Sequence, residues 1–162
     1  SLQRWGIYAS TLLNLNPGIL RIIGLDIKYR LNPGVNFHDP SVGLSLDFQN
    51  VNYKNIQGSM LGLGAFADFQ LPRWFDKLLS RVPVFKMPKY LNARAMYYPL
   101  STIGGINVSN NYSLGLRGKI FVRPDFFVEL GGELKELHIQ QSISQFFDSS
   151  FVYGTGGFGW SF

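Results

Sequence analysis

The sequence predicts an all-β fold: a transmembrane up-and-down barrel of eight antiparallel strands, formed by residues 1–162 as one domain, with one short amphipathic helical insertion near 73–82. Three observations predict it. Apolar residues alternate with small or polar ones at a period of two along most of the chain. Charged residues make up 15%, whereas glycine (18) and aromatics (14 Phe, 8 Tyr, 3 Trp) are plentiful; soluble domains carry roughly 25% charge. No apolar run reaches the roughly 18–20 residues that a spanning helix needs. A chain of 162 residues supports one domain.

The strands follow in order. A weak run covers roughly 4–15. Residues 23–31 set Ile23, Leu25, Ile27, Tyr29 and Leu31 against Gly24, Asp26, Lys28 and Arg30. In 42–49, Val42, Leu44, Leu46 and Phe48 oppose Gly43, Ser45, Asp47 and Gln49. In 61–71, Leu61, Leu63, Ala65, Ala67, Phe69 and Leu71 oppose Gly62, Gly64, Phe66, Asp68 and Gln70. A second weak run covers 90–98. Residues 112–122 set Tyr112, Leu114, Leu116, Ile120 and Val122 against Ser113, Gly115, Arg117 and Lys119. Residues 126–135 set Phe126, Val128, Leu130 and Leu134 against Glu129, Gly131, Glu133 and Lys135. The last run sets Val152, Phe158, Trp160 and Phe162 against Tyr153, Thr155, Gly157, Gly159 and Ser161. Asn16-Pro17-Gly18 and Arg123-Pro124-Asp125 read as tight turns. Residues 32–41, 99–110 and 140–150 read as loops. The chain opens on Ser1 and enters a strand pattern almost at once, as a processed or trimmed form would.

Alternation alone does not separate a soluble barrel from a membrane one. Volume does. An eight-stranded interior is only just wide enough for side chains, and the Leu, Ile, Val, Phe and Trp set would overpack it. The other set mixes Gly and Ser with charges of both signs: Asp26, Lys28, Arg30, Asp47, Asp68, Arg94, Arg117, Lys119, Glu129, Glu133 and Lys135. These fit inside as a paired network, with Phe66 and Met96 helping to fill the lumen. The outer set is almost free of charge, as a lipid-facing band requires. Arg21 is an exception near a turn, where it can snorkel. Trp5, Tyr29, Phe69, Tyr90, Tyr97, Tyr112, Phe126, Phe151, Trp160 and Phe162 fall toward strand ends and read as interfacial girdles.

The final strand alternates apolar residues and ends on Phe162. With Trp160 it resembles the C-terminal signal strand of outer-membrane proteins, which implies recognition by the barrel-assembly machinery. The block Leu91-Asn92-Ala93-Arg94-Ala95-Met96-Tyr97-Tyr98-Pro99-Leu100, followed by the strands at 112–122 and 126–135, resembles the YfaZ-type family of small outer-membrane proteins. That resemblance spans about the last two-thirds of the chain, and 72–89 is longer than the family pattern. It implies the bacterial outer membrane as location, with phospholipid and lipopolysaccharide as surroundings. It implies no reaction.

The net charge is +5. Residues 72–89 hold Arg73, Lys77, Arg81, Lys86 and Lys89 against Asp76 alone, which places +4 of it there and argues against a nucleic-acid-binding surface. Pro72 suits a first helical turn. Trp74, Phe75, Leu78, Leu79 and Val82 make an apolar stripe, and Pro83 and Pro88 stop the helix. Both termini are expected in the periplasm, which puts this connection there too. Three readings are open: a helix capping the barrel mouth, an interfacial helix on the inner leaflet, or a docking surface for a periplasmic or outer-membrane protein partner. The candidate lipid- or partner-binding residues are Arg73, Trp74, Phe75, Lys77, Leu78, Arg81, Lys86 and Lys89.

Catalytic signals are weak. Without cysteine there is no thiol nucleophile or zinc–thiolate site. His138 has Glu136 two residues back and Ser142 and Ser144 ahead, but no G-x-S-x-G motif accompanies them. His38-Asp39 reads as turn geometry. No cofactor, metal or catalytic residue is expected. The expected function is a non-enzymatic structural or interaction component of the cell envelope with a plugged, ion-paired interior. The alternatives are a small pore or hydrophobic-ligand transporter, and a lipid-modifying enzyme.

Overall fold

The computed structural model describes residues 4–13, 20–32, 41–53, 56–71, 74, 77–78, 81, 89–108, 110–142 and 145–162. Nine β-stretches run in chain order: β1 (Trp5–Leu13), β2 (Leu20–Arg30), β3 (Ser41–Tyr53), β4 (Ile56–Gln70), β5 (Lys89–Ile103), β6 (Ile106–Val108), β7 (Asn111–Phe121), β8 (Phe126–Ser142) and β9 (Gln145–Ser161). Every pairing is antiparallel, each strand lies beside its sequence neighbours, and β1 pairs with β9. The sheet therefore closes on itself. Both β6 and β7 pair with β5 in one continuous register, from Ile103↔Ile106 to Lys89↔Ile120. They are two stretches of one strand, and the barrel has eight.

Closure satisfies the backbone all round, so a lipid-facing wall needs no edge. The last bonds run between Trp5 N–H and Phe162 O (3.0 Å) and between Phe162 N–H and Trp5 O (2.9 Å). This terminal end also carries the connections 31–40, 71–88 and 122–125. The opposite, hairpin end carries 14–19, 54–55, 104–105 and 143–144.

Two expected loops are strand. Residues 99–103 and 106–108 belong to a hairpin whose two-residue turn is Gly104-Gly105, at φ 62° and 79°. Positive φ at both positions is the type I′ geometry that matches strand twist, and glycine adopts it without strain. Residues 140–150 lie largely in the β8–β9 hairpin, paired as far as Ser142↔Gln145. Pro99 interrupts β5 without ending it. The β4–β5 register shifts between Leu61↔Leu100 and Leu63↔Tyr97, so Tyr98 and Pro99 together oppose Gly62. A bulge is where a strand tolerates a residue without N–H. It also flips the inward parity, so that both Tyr98 and Ser101 point inside.

The Arg123–Asp125 turn is tight: Phe126 N–H donates to Arg123 O and Val122 N–H to Phe126 O. The Asn16–Gly18 turn lies outside the described residues. No helix is described as an element over 73–82. Trp74, Lys77 and Leu78 have helical backbone, and the residues between them lie outside the described set.

Candidate functional site: the ion-paired lumen

Period-two strands in a closed barrel sort residues strictly between lumen and exterior. All eleven charged residues expected inside do point inward, ten of them buried and Arg30 half-buried. Six cations thus face five carboxylates.

Arg94 on β5 is the centre of the network. Its guanidinium donates to Asp26 (3.1 Å) and Asp47 (2.6 Å). Asp26 and Asp47 are cross-strand partners on β2 and β3. Like charges so placed repel, and the planar fork of arginine offsets this by engaging both. Tyr98 O–H also donates to Asp47 (2.7 Å), and Gln49 Nε2 donates to Asp47 (2.6 Å) and to the Tyr98 hydroxyl (2.9 Å). Ser45 Oγ donates to Asp26.

A second group lies toward the terminal end. Arg117 bonds Glu133 (2.6 Å) and Glu129 (3.5 Å), and Lys28 bonds Glu129 (3.2 Å). Asp68 receives Lys119 (3.2 Å), Arg30 (3.4 Å), Ser41 (3.4 Å) and Asn92 (2.6 Å). Lys135 differs from the other cations: it donates to Gln49 Oε1 and sits 4.4 Å over the Tyr98 ring. Among the described residues no ion pair joins it to a carboxylate within 4.0 Å.

Rings and apolar side chains bracket these charges. Tyr8, Tyr90, Phe121 and Phe127 form a buried aromatic layer toward the terminal end, with Phe121 and Phe127 centroids 5.6 Å apart. Ile22, Val51, Met60, Met96, Tyr98, Ile103 and Leu137 form an apolar layer toward the hairpin end, with Phe151 and Tyr153 packed on it. Lys119 lies 4.1 Å over the Phe127 ring, a cation–π contact that ties the charges to the aromatic layer. Beside the aromatic layer, Lys28, Arg30, Phe66 and Lys119 line a space of about 10 Å³, about one water. Large interior rings need small neighbours: a Cβ at Gly62 would fall 2.6 Å from the Tyr98 ring, and one at Gly159 2.6 Å from the Phe127 ring.

Two residues expected in the outer girdles turn out to be interior. Tyr90 is buried in the aromatic layer and Phe151 packs on the apolar one. Tyr8, Tyr98, Phe121 and Phe127, which line the lumen, carried no apolar/polar contrast to mark them. At the terminal end, Trp5 and Tyr29 (4.7 Å) and Phe126 and Trp160 (4.9 Å) do pair on the outer face. Tyr97 and Tyr112 pair further along (5.3 Å), where they flank an outward groove of about 470 Å³ over Ala95, with Leu63, Leu114, Leu134 and Glu136. Trp160 and Phe162 are exposed on or beside β9.

In the basic connection, Trp74 and Leu78 are exposed, as are Lys77 and Arg81, and Lys89 opens β5. Arg73, Phe75 and Lys86 lie outside the described residues, as do His38, Asp39 and Ser144. Glu136 and His138 share the outer parity of β8, across from Ser150 and Asp148. Ser142 ends β8. Glu136 and His138 thus lie on the parity that points away from the lumen network.

No family model and no curated protein matches the chain by sequence, so neither comparison confirms the expected kinship to the YfaZ-type family. By structure it resembles the Neisserial surface protein A (NspA), with a TM-score of 0.54 at 12% identity over 98% of this chain and 95% of that one. It also resembles the N-terminal β-barrel domain of Pseudomonas aeruginosa OprF, with a TM-score of 0.51 at 12% identity over 99% and 98%. The likeness is one of fold, a small closed antiparallel barrel.

Proposed function

We propose that this chain is an integral outer-membrane barrel that serves the envelope as a non-enzymatic structural or interaction component, closed to solutes. The observation that carries this reading is the reversal of chemistry across the wall. Outside, Leu25, Leu44, Leu46, Leu63, Leu114, Leu116 and Leu130 stand exposed, far more apolar surface than water-soluble monomers present. Inside, charges are paired and bracketed by rings. At 13 and 15 residues, β3 and β4 exceed the roughly 9–11 that a tilted strand needs to cross a bilayer. The fold shared with NspA and the OprF barrel domain supports the same location; that both termini face the periplasm is part of the proposal. Kinship to the YfaZ-type family is part of the proposal.

In this reading the lumen stabilises the wall and does not conduct. Folded protein in planar bilayers should show no stable conductance step; a large, persistent step would favour the pore. Purified protein should release no fatty acid from phospholipid or lipopolysaccharide; release that disappears in His138→Ala would favour the enzyme. The basic connection, proposed as a short helix over 73–82, is the envelope-facing surface. Substituting Lys77→Glu and Arg81→Glu should weaken binding of the 72–89 peptide to anionic vesicles. Equal, salt-insensitive binding to neutral vesicles would remove the lipid reading and leave the cap and the docking surface.

A further inference from the structure

We infer that the terminal end of the lumen binds one monatomic anion, a halide such as chloride, held between the ammonium groups of Lys28 and Lys119. A space, spare donors and an excess of positive charge coincide there. The space is the one of about 10 Å³ beside the aromatic layer, lined by Arg4, Lys28, Arg30 and Lys119 together with Phe66 and Phe127. Its size, about one water, admits a single small guest and rules out sulfate, phosphate or an organic carboxylate. Lys28 and Lys119 are buried, Arg30 is half-buried and Arg4 is exposed. A small ion therefore reaches the space from the terminal end.

The donors follow from a count. An ammonium group carries three N–H bonds. Among the described residues Lys28 directs one to Glu129 (3.2 Å) and Lys119 one to Asp68 (3.2 Å). The next carboxylate from Lys28, Asp26, lies at 3.9 Å, beyond hydrogen-bond reach. Both ammonium groups converge on one oxygen: Glu129 Oε1 is 3.2 Å from Lys28 Nζ and 4.0 Å from Lys119 Nζ. Their other neighbours are rings. Lys28 Nζ is 5.4 Å from the Phe66 centroid and Lys119 Nζ 4.1 Å from that of Phe127. A phenyl ring attracts a cation but has no lone pair to accept an N–H bond. Two buried ammonium groups with spare N–H bonds thus border a space that one acceptor fills.

Charge chooses between a water and an anion. Of the six cations and five carboxylates in the lumen, Arg94, Arg117 and Lys135 match Asp26, Asp47 and Glu133 in number. Lys28, Arg30 and Lys119 remain, with only Asp68 and Glu129 to balance them, and Arg4 adds a fourth cation at the same end. The excess borders the space. A buried charge without its counter-charge is costly, and attraction is strong where water is excluded. A water would accept the N–H bonds and leave the excess; a halide accepts them and offsets it. The site belongs to the lumen and is independent of which compartment the terminal end faces.

The full chain, folded in detergent and exchanged into gluconate, is titrated with bromide at constant ionic strength, which holds general screening fixed. A guest that binds only the folded chain raises the folded-to-unfolded ratio in proportion to its concentration once its Kd is passed, so each tenfold increase in bromide should raise that ratio about tenfold. Lys119→Met should abolish the dependence. Lys135→Met, which removes a lumen cation that does not line the space, should keep it. Crystals of the unaltered chain grown in bromide should show one anomalous peak between Lys28 Nζ and Lys119 Nζ, a readout that stands even if Lys119→Met fails to fold. Coincident unfolding curves in bromide and gluconate, an undiminished bromide response in folded Lys119→Met, or a water without anomalous signal between the two ammonium groups would overturn the inference.

Discussion

Along β7 the outward residues Tyr112, Leu114, Leu116 and Ile120 carry no charge, while between them Ser113, Gly115, Arg117 and Lys119 point inward. The two faces are held by different physics. Outside, the requirement is general: any apolar side chain satisfies a lipid solvent. Inside, it is specific, because each ion needs its own partner and each ring needs the space a glycine leaves. The outer face should accept shape changes and reject charge. The inner face should reject the loss of a single partner.

The largest effect is expected inside. Arg94→Ala strands Asp26 and Asp47 against each other, and a buried pair broken from one side costs about 3–5 kcal/mol. Equilibrium unfolding in detergent or lipid measures it, and a loss below about 1 kcal/mol would mean that the network is not structural. Next comes Leu116→Arg on the outer face, at about 2–4 kcal/mol near mid-bilayer, with Leu116→Ile nearly silent. A matching loss for the isoleucine would show that the outer face is packed against something other than lipid. Gly62→Ala tests the ring-against-glycine contact, and overpacking of this kind costs about 1–3 kcal/mol. The smallest effect is expected at Lys135→Met, about 1 kcal/mol, because among the described residues Lys135 makes one side-chain hydrogen bond, to Gln49. If Lys135 cost as much as Arg94, the division of the lumen into paired cations and one held by an amide and a ring would be wrong.

The same contrast explains what could be read from the sequence. Period two is visible where one face meets lipid and the other meets charge, so the inward acids and bases from Asp26 to Lys135 were legible. Where the strands rise beyond that band the contrast fades. Ser101 to Val108 and Gln140 to Ser150 then read as polar loops although they are hairpins. Gly104-Gly105 between Ile103 and Ile106 was an available turn signal. Tyr90 was misplaced because an aromatic at a strand end suits a girdle and a lumen equally well, and its orientation depends on parity counted through the strand. Ser101 and Ile103 point inside because of the bulge at Tyr98 and Pro99, which only the paired strands fix. The segment 72–89 stands out for its charge, yet period and charge alone do not say what it touches.

The most direct test of the reversed wall uses single cysteines at Ser113, Leu114 and Leu116 in a chain that has no other. Each is spin-labelled or reacted in protein reconstituted into vesicles. Positions 114 and 116 should be reached by oxygen dissolved in the bilayer and shielded from water-soluble reagents, while 113 should be shielded from both. Ready labelling of 114 and 116 by a water-soluble maleimide in the folded, reconstituted barrel would contradict it.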